Sequence, residues 1–364
     1  MNIIKKNKIL IADDILENLQ LLVSIFQKEN YEILIAKNGR DAFNIAINEN
    51  PDLILLDVNM PFKNGFEVCE ELQAIPSTKQ IPIIFLTALS ETANEEKGLS
   101  LGAVDFIRKP FSPEIVLARV KNHLELKTYR DNLEELVKAK MQEKDEVQRM
   151  TIDALAILAE YRDNETGGHI QRTKNYVKAL AEYLQKQDKF KSYLTDDVIE
   201  MLYNSAPLHD IGKVAIKDNV LLKPGKLTDD EMGEMKMHAY YGYKALDDAE
   251  QHSKCESFLT IAKEMAFTHH ERYDGEGYPT GIAGEDIPLS GRLMAVADVY
   301  DALISKRVYK TPIAHSKSVE IIISEKGKAF DPDIVDAFIV LQEDFRLIAL
   351  ANTDFKSEQD ALNA

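Results

Sequence analysis

Two sets of residues in this chain are of types that can do chemistry, and they lie in different halves of it. The first set is Asp13–Asp14, Asp57, Thr87 and Lys109, each at the carboxyl end of a short β-rich run. Three carboxylates brought together repel one another unless a divalent cation neutralises them, and hard oxygen donors suit Mg²⁺. A hydroxyl and an ammonium group beside them can contact phosphoryl oxygens. The set therefore reads as a phosphoryl-transfer site in which Asp57 is the nucleophile and Thr87 and Lys109 hold the transferred group. Any one of these aspartates could equally cap the helix that follows its strand. Four matching strand ends outweigh that reading.

The second set lies between residues 150 and 350. Glu165 and His169 are four apart, so on a helix both would face one side and could share a metal. His209–Asp210 follows in NSAPLHDIGK, then His238, the His269–His270 pair, and Asp298 in AVADVYDAL. These eight N/O donors are too many for one tetrahedral ion. Two or three ions bridged by a carboxylate fit better, and Asp210 is the best candidate for the bridge. The mixture of imidazole and carboxylate is compatible with Fe, Mn, Ni or Zn. Lys213 comes four residues after His209, so on a helix it would face the same way and could hold a phosphate oxygen as a point charge. The GEGYP loop, with its glycines and Pro279, is expected to shape a pocket rim that exposes Tyr278. Taken singly, His238 could be an ordinary satisfied histidine and His269–His270 a pair favoured by a helix C-terminus. Asp301, three residues after Asp298, reads as a supporting group.

The elements that must position these residues follow from the spacing. KILIADD (8–14), EILIA (32–36), DLILLDV (52–58), PIIFLTA (82–88) and VDFIRK (104–109) are buried-strand candidates separated by helical patterns. That order predicts a doubly wound, α/β parallel sheet with helices on both faces and functional groups beyond the strands' carboxyl ends. From Leu126 a 3-4 spacing runs through Tyr129, Leu133, Leu136, Lys140, Glu143, Val147, Met150, Ala154 and Ile157 without glycine or proline. It predicts a helical connector that could pair with a second copy as a parallel coiled coil, although Lys140 and Glu143 interrupt its apolar seam. The remainder reads as mostly helix, punctuated by KPGK, DGEGYPTG and GEDIPLSG. We thus expect a domain over 1–125, a coiled-coil linker over 126–150, a second, mostly all-α domain over 151–350, and a frayed polar tail over 351–364.

Composition narrows the setting. A length of 364 residues allows two or three domains, and 45% hydrophobic with 29% charged residues is ordinary for a folded protein. The formal charge of -17 argues against broad binding to DNA or to anionic membranes, so an anionic substrate needs local positive charge. Two cysteines, Cys69 and Cys255, give no disulfide framework and are expected to fill core space, and no apolar run approaches the length of a membrane span. A cytoplasmic protein is expected.

The first half resembles the receiver domain of two-component response regulators, through Asp13–Asp14, DVNMPFKNGFEV, the LTA run and the KPF run, in order and spacing. The resemblance implies that Asp57 accepts a phosphoryl group from a histidine kinase or small donor. It also implies Mg²⁺ held by Asp14, Asp57 and the Asn59 carbonyl with Asp13 assisting, and a cis peptide at Lys109–Pro110. The aromatic switch position is Phe106 rather than Tyr, so switching with Thr87 would rest on packing. The second half, through ETGGH, HDIGK, HHERYDGEGYP and Asp298, resembles the HD-GYP subgroup of HD-domain phosphohydrolases. That implies a di- or tri-nuclear centre, with iron favoured, held by Glu165, His169, His209, Asp210, His238, His269, His270 and Asp298, and hydrolysis of cyclic di-GMP to pGpG and further to GMP. It implies that Arg307 and Lys310 contact substrate phosphates, and it links the GYP loop to docking of GGDEF diguanylate cyclases. A homodimer joined through the connector completes the expectation. The competing readings are a non-catalytic cyclic di-GMP receptor or cyclase-docking module, and a phosphodiesterase for another cyclic dinucleotide.

Overall fold

The computed structural model describes residues 6–88, 92–163, 167–251, 258–306, 311–353 and 355–364. They form two compact units, 1–142 and 143–364.

In the first unit, β1 (Asn7–Ala12), β2 (Tyr31–Ala36), β3 (Leu53–Asp57), β4 (Ile83–Ala88) and β5 (Asp105–Lys109) make one parallel sheet in the order β2-β1-β3-β4-β5. Side chains alternate along each strand, and both faces are covered, so the central strands are apolar throughout. Leu10, Ile54, Leu56 and Phe85 pack on one face beneath α2 (Gly39–Glu49) and α3 (Gly65–Ala74). Ile9, Ile11, Leu53, Leu55 and Leu86 pack on the other beneath α1 (Leu16–Phe26) and the start of α5 (Pro113–Asp163), while α4 spans Thr92–Ser100. Each such side chain contributes roughly 1.5–3 kcal/mol of burial. Strand β1 stops at Ala12, two residues short of the expected end, which leaves Asp13 and Asp14 just past the sheet edge. The Lys109–Pro110 peptide is cis, as the resemblance implied. Cys69 is core filler, whereas Cys255 lies outside the described residues.

Helix α5 is continuous for 51 residues. Val116, Val120 and Leu124 are buried in the first unit, and Ile152, Ala156 and Ala159 in the second. Between them Leu126, Tyr129, Leu133, Leu136, Val147 and Met150 are 56–73% exposed in the single chain. The segment expected as a helical linker is the middle of this one helix.

The second unit continues with α6 (Gly167–Leu184), α7 (Asp196–Ser205), two 3-10 turns at Ala206–Leu208 and Ile211–Ala215, α8 (Asp218–Leu221) and α9 (Asp229–Glu250). Then come α10 (Phe258–Thr268), α11 (Leu289–Ile304), α12 (His315–Ser324), α13 (Pro332–Ala351) and α14 (Lys356–Leu362). Helix α11 carries the core: Leu293, Met294, Val296, Ala297 and Tyr300 are buried among Tyr176 and Leu180 of α6 and Val335, Phe338 and Phe345 of α13. The tail corrects an expectation. Residues 356–362 form a helix rather than a frayed end, with Leu362 2% exposed in the main core and buried Glu358 accepting a 2.9 Å bond from the Lys306 amide. Those two side chains are four apart and face the body of the unit together, which a polar composition hides.

Candidate metal centre and phosphoacceptor site

At the carboxyl edge of the sheet, oxygens of Asp13, Asp14 and Asp57 lie within 4.8 Å of one another. Asp13 is fixed by the Ile15 amide at 2.9 Å and by Asn18 at 3.0 Å. The Lys109 ammonium donates to Asp13 at 2.8 Å and to Asp57 at 2.5 Å. Burial, aided by the Asp13 and Asp14 charges, outweighs the pull of Lys109 and leaves the Asp57 carboxyl pushed up to about 6. Crowded, half-neutralised carboxylates of this kind fit a hard divalent cation. Thr87 is buried beside them with no hydrogen bond to its hydroxyl among the described residues. Phe106 is half-buried, with the guanidinium groups of Arg108 and Arg119 over its ring, and Asn59 is exposed on the loop after β3.

The second centre is built from residues on three α-helices and from two short segments at helix or turn boundaries. His169 comes from the first turn of α6, His238 from α9 and Asp298 from α11. His209–Asp210 sits between the two 3-10 turns, and His269–His270 directly follows α10. Two glycines make the approach possible. A Cβ on Gly212 would lie 2.0 Å from the His238 carbonyl, and one on Gly291 2.1 Å from Thr268 Oγ1, so a side chain at either would push α9 or α11 away from its ligand partners.

The imidazoles are oriented by what their Nδ1 atoms touch. His209 Nδ1 meets the Ala206 carbonyl at 2.8 Å, His238 Nδ1 that of Met235 at 2.7 Å, and His269 Nδ1 that of Met265 at 3.0 Å. A carbonyl can only accept, so each Nδ1 carries the proton and each Nε2 presents its lone pair to the centre. Among the described residues those three Nε2 atoms and Asp210 Oδ1 are buried without a hydrogen bond, an arrangement that a cation explains. Ligand atoms of Asp210, His238, His269 and His270 lie within 4.8 Å of one another, and so do those of His169, His209 and Asp298. Asp210 lies between the two groups: its Oδ1 is 3.3 Å from His238 Nε2 and 3.6 Å from His269 Nε2, and its Oδ2 is 3.3 Å from His209 Nε2. Burial, then the neighbouring His269 and His238, drive the His270 pKa well below its ordinary value, which keeps the imidazole neutral. Burial opposes ionisation of Asp210, but Lys213 and His209 outweigh it and hold the carboxyl well below the usual range.

Lys213 is on a 3-10 turn rather than an α-helix, so it is the spacing of three from Asp210 that matters: its ammonium reaches Asp210 Oδ2 at 2.8 Å. Tyr278 is half-buried, not exposed. Its ring stacks on His270 with centroids 4.7 Å apart, and the Lys236 ammonium lies 5.0 Å from the ring centroid. The loop around it is pinned by buried Glu271, which accepts from the Thr280 amide at 2.8 Å, the Thr280 hydroxyl at 2.7 Å and the Gly281 amide at 3.1 Å. Glu165, Arg307 and Lys310 lie outside the described residues.

Two further residues, Arg172 and Glu160, escaped the sequence reading, and the role of a third is now specific. Asp301 Oδ2 meets His169 Nδ1 at 2.8 Å, so the supporting role expected for it has a definite form. Fully buried Arg172 grips Asp301 through Nε at 2.6 Å and Nη2 at 2.9 Å, and also donates to the Asn352 carbonyl at 2.8 Å. The only signal for Arg172 was its spacing of three from His169, which places both on one face of α6. Glu160, near the end of α5, is buried with Oε1 3.9 Å from His169 Nε2.

Comparison with known proteins agrees with this division. The response regulator receiver domain family matches residues 9–121, and the HD domain family matches residues 154–334. A probable cyclic di-GMP phosphodiesterase of Vibrio cholerae is 45% identical over 357 residues, 96% of this chain and 81% of that protein. The cyclic di-GMP phosphodiesterase response regulator RpfG of Xanthomonas campestris is 36% identical, over 91% of this chain and 86% of its own. A 3′3′-cGAMP-specific phosphodiesterase of Vibrio cholerae is 40% identical over 55% of this chain and 36% of its own. On fold, site and these likenesses together, the chain belongs to the response regulators that join a receiver domain to an HD domain of the HD-GYP type.

Proposed function

We propose that this chain hydrolyses cyclic di-GMP to linear pGpG, and onward to GMP, under the control of phosphorylation at Asp57. The observation that carries the reading is the set of histidines whose Nδ1 protons are committed to carbonyls or to Asp301, so that their Nε2 atoms converge on Asp210 and Asp298. A receptor has no need of so complete a ligand set. Cations held there would supply Lewis-acid charge and lower the pKa of water to near neutrality. The protein's own part would be to hold them with Asp210, Asp298 and the buried imidazoles of His169, His209, His238 and His269, and to present Lys213 and Tyr278 to the substrate. Arg307 and Lys310 complete the phosphate contacts by resemblance.

Iron is the cation we favour, with Mn, Ni or Zn compatible with the same donors; Mg²⁺ belongs with Asp13, Asp14, Asp57 and the Asn59 carbonyl. The partners in this reading are a histidine kinase, a second copy of the chain along α5, and GGDEF cyclases at the GYP loop. A cytoplasmic location accords with two cysteines in the whole sequence. Among the described residues no helix is long and apolar enough to cross a membrane.

The test is to incubate metal-reconstituted protein with cyclic di-GMP and with 3′3′-cGAMP and to separate the products. We expect pGpG and GMP from the first at a higher rate than any product from the second. Faster turnover of 3′3′-cGAMP would favour the substrate named for the third relative. Binding of cyclic di-GMP without turnover of either would make the domain a receptor.

A further inference from the structure

A cyclic dinucleotide carries two phosphodiesters, and one is cleaved at a time. The other must be met by the protein, and in a chain of formal charge -17 that calls for a cation not already paired with a carboxylate. Lys213 is engaged at the centre itself, with its ammonium on Asp210 Oδ2 at 2.8 Å. Arg307 and Lys310 are expected to contact phosphates by resemblance. Helix α9 adds a cation that the sequence did not mark.

Lys236 lies on α9, two residues before His238, and is exposed. Its ammonium is 5.0 Å from the centroid of the Tyr278 ring. That ring stacks on His270 with centroids 4.7 Å apart and stands edge-on to His238 at 6.4 Å. A single aromatic ring thus separates Lys236 from two candidate metal ligands, which puts it beside the centre rather than in it.

Its charge is left available by the helix that carries it. A lysine on a helix can be neutralised by a carboxylate three or four residues away. Around Lys236 those positions hold Met232, Gly233, Ala239 and Tyr240. Nearby acids on α9 are engaged by other lysines, Glu231 by Lys223 and Glu234 by Lys217 at 3.0 Å. Among the described residues Lys236 makes no ion pair, and the face of Tyr278 orders the ammonium without cancelling its charge.

We propose that Lys236 is a specificity-determining residue that binds the diester not being cleaved, so that the site prefers a cyclic dinucleotide to a substrate with a single phosphodiester. This rests on the reading that the HD half hydrolyses cyclic di-GMP. No bond is made or broken at Lys236. Its charge acts equally on bound substrate and transition state, so it is felt in KM and not in kcat.

The test compares full-length, metal-reconstituted wild type, Lys236→Met and Lys236→Arg on cyclic di-GMP and on bis(p-nitrophenyl) phosphate, which has one diester. Lys236→Met removes the charge and keeps an apolar stem at an exposed position, and bound metal and Tm are measured on each preparation. We expect its KM for cyclic di-GMP to rise roughly tenfold or more, from the loss of one charge-assisted contact, with kcat and bound metal unchanged. Its kcat/KM for the single diester should match the wild type, Lys236→Arg should restore the KM for cyclic di-GMP, and added salt should narrow the gap between wild type and Lys236→Met. An equal loss on both substrates would make Lys236 a support for Tyr278 or the cations and overturn the inference. So would an unchanged KM for cyclic di-GMP. In either case turnover by the wild type leaves the phosphodiesterase reading standing. If the wild type binds cyclic di-GMP without cleaving it, that reading falls and the dissociation constants of the three proteins decide the inference in the same way. If it neither binds nor cleaves cyclic di-GMP, both fall.

Discussion

The Asp57 carboxyl is held near pH 6 by burial against the pull of Lys109, and this has a consequence for stability. In the unfolded chain the group titrates near 3.8. Between these values the native state binds the proton more tightly, so stability falls as pH rises from about 4 to about 6 and stays lowered above that. A two-unit shift corresponds to about 3 kcal/mol at most. Asp57→Asn removes the ionisable group. In EDTA at pH 7.5 the variant should melt above the wild type, and the difference should shrink as pH approaches 4. Thermal melts at the two pH values check this, and a variant no more stable at pH 7.5 contradicts it. On the other side of the chain, Asp301 is an ionised carboxylate: burial opposes its charge, but Arg172 and His169 overcome that and hold its pKa far below the usual range. Asp301→Asn leaves the volume intact yet removes the charge that fixes the His169 proton on Nδ1. Metal affinity should drop by about 10–100-fold in a folded protein, measured as metal retained after dialysis.

The elements were readable where one physical signal dominates. Strands β1 and β3 are unbroken apolar runs because both their faces are covered, and the sequence marks them to within two residues. The candidate metal ligands stand out in the sequence because imidazole and carboxylate types are rare in company. What stayed hidden was the geometry that depends on backbone form or burial. Lys213 was expected on an α-helix but sits on a 3-10 turn, Tyr278 was expected in solvent but stacks on His270, and Arg172, Glu160 and Glu358 look like surface charges on helices. Burial of a charged side chain is decided by tertiary partners, which local pattern does not encode. Helix approach yields its own prediction. Gly212→Ala would place a Cβ 2.0 Å from the His238 carbonyl and 2.4 Å from the Gly242 amide nitrogen, both backbone atoms that cannot swing aside. Overpacking of this kind costs about 1–3 kcal/mol, and here it also separates His209–Asp210 from His238. The variant should have a lower Tm and less bound metal, both measured on the same preparation. Unchanged metal content would contradict the role given to this contact.

At the scale of the whole chain, what joins the two chemistries covalently is α5, one helix from Pro113 to Asp163 with an apolar stripe exposed along its middle. If a second copy covers that stripe and transmits the state of Asp57, its angular phase matters more than its length. At about 100° per residue, inserting four residues near Lys140 turns the downstream helix by about 40°, whereas inserting seven turns it by about 20° the other way and keeps the heptad. The four-residue insertion should uncouple phosphodiesterase activity from phosphorylation by acetyl phosphate, and the seven-residue insertion should preserve the coupling. Equal responses would mean that the units communicate by another route.

The central claim is that the histidines and aspartates around Asp210 form a hydrolytic metal centre, and the most direct measurement is turnover of cyclic di-GMP together with bound metal in wild type and Asp210→Ala. Asp210 reaches towards both groups of ligands, so its loss should remove metal from both and reduce turnover at least a hundredfold, while Asp57 still accepts a phosphoryl group. Full turnover by Asp210→Ala at low metal occupancy would contradict the account.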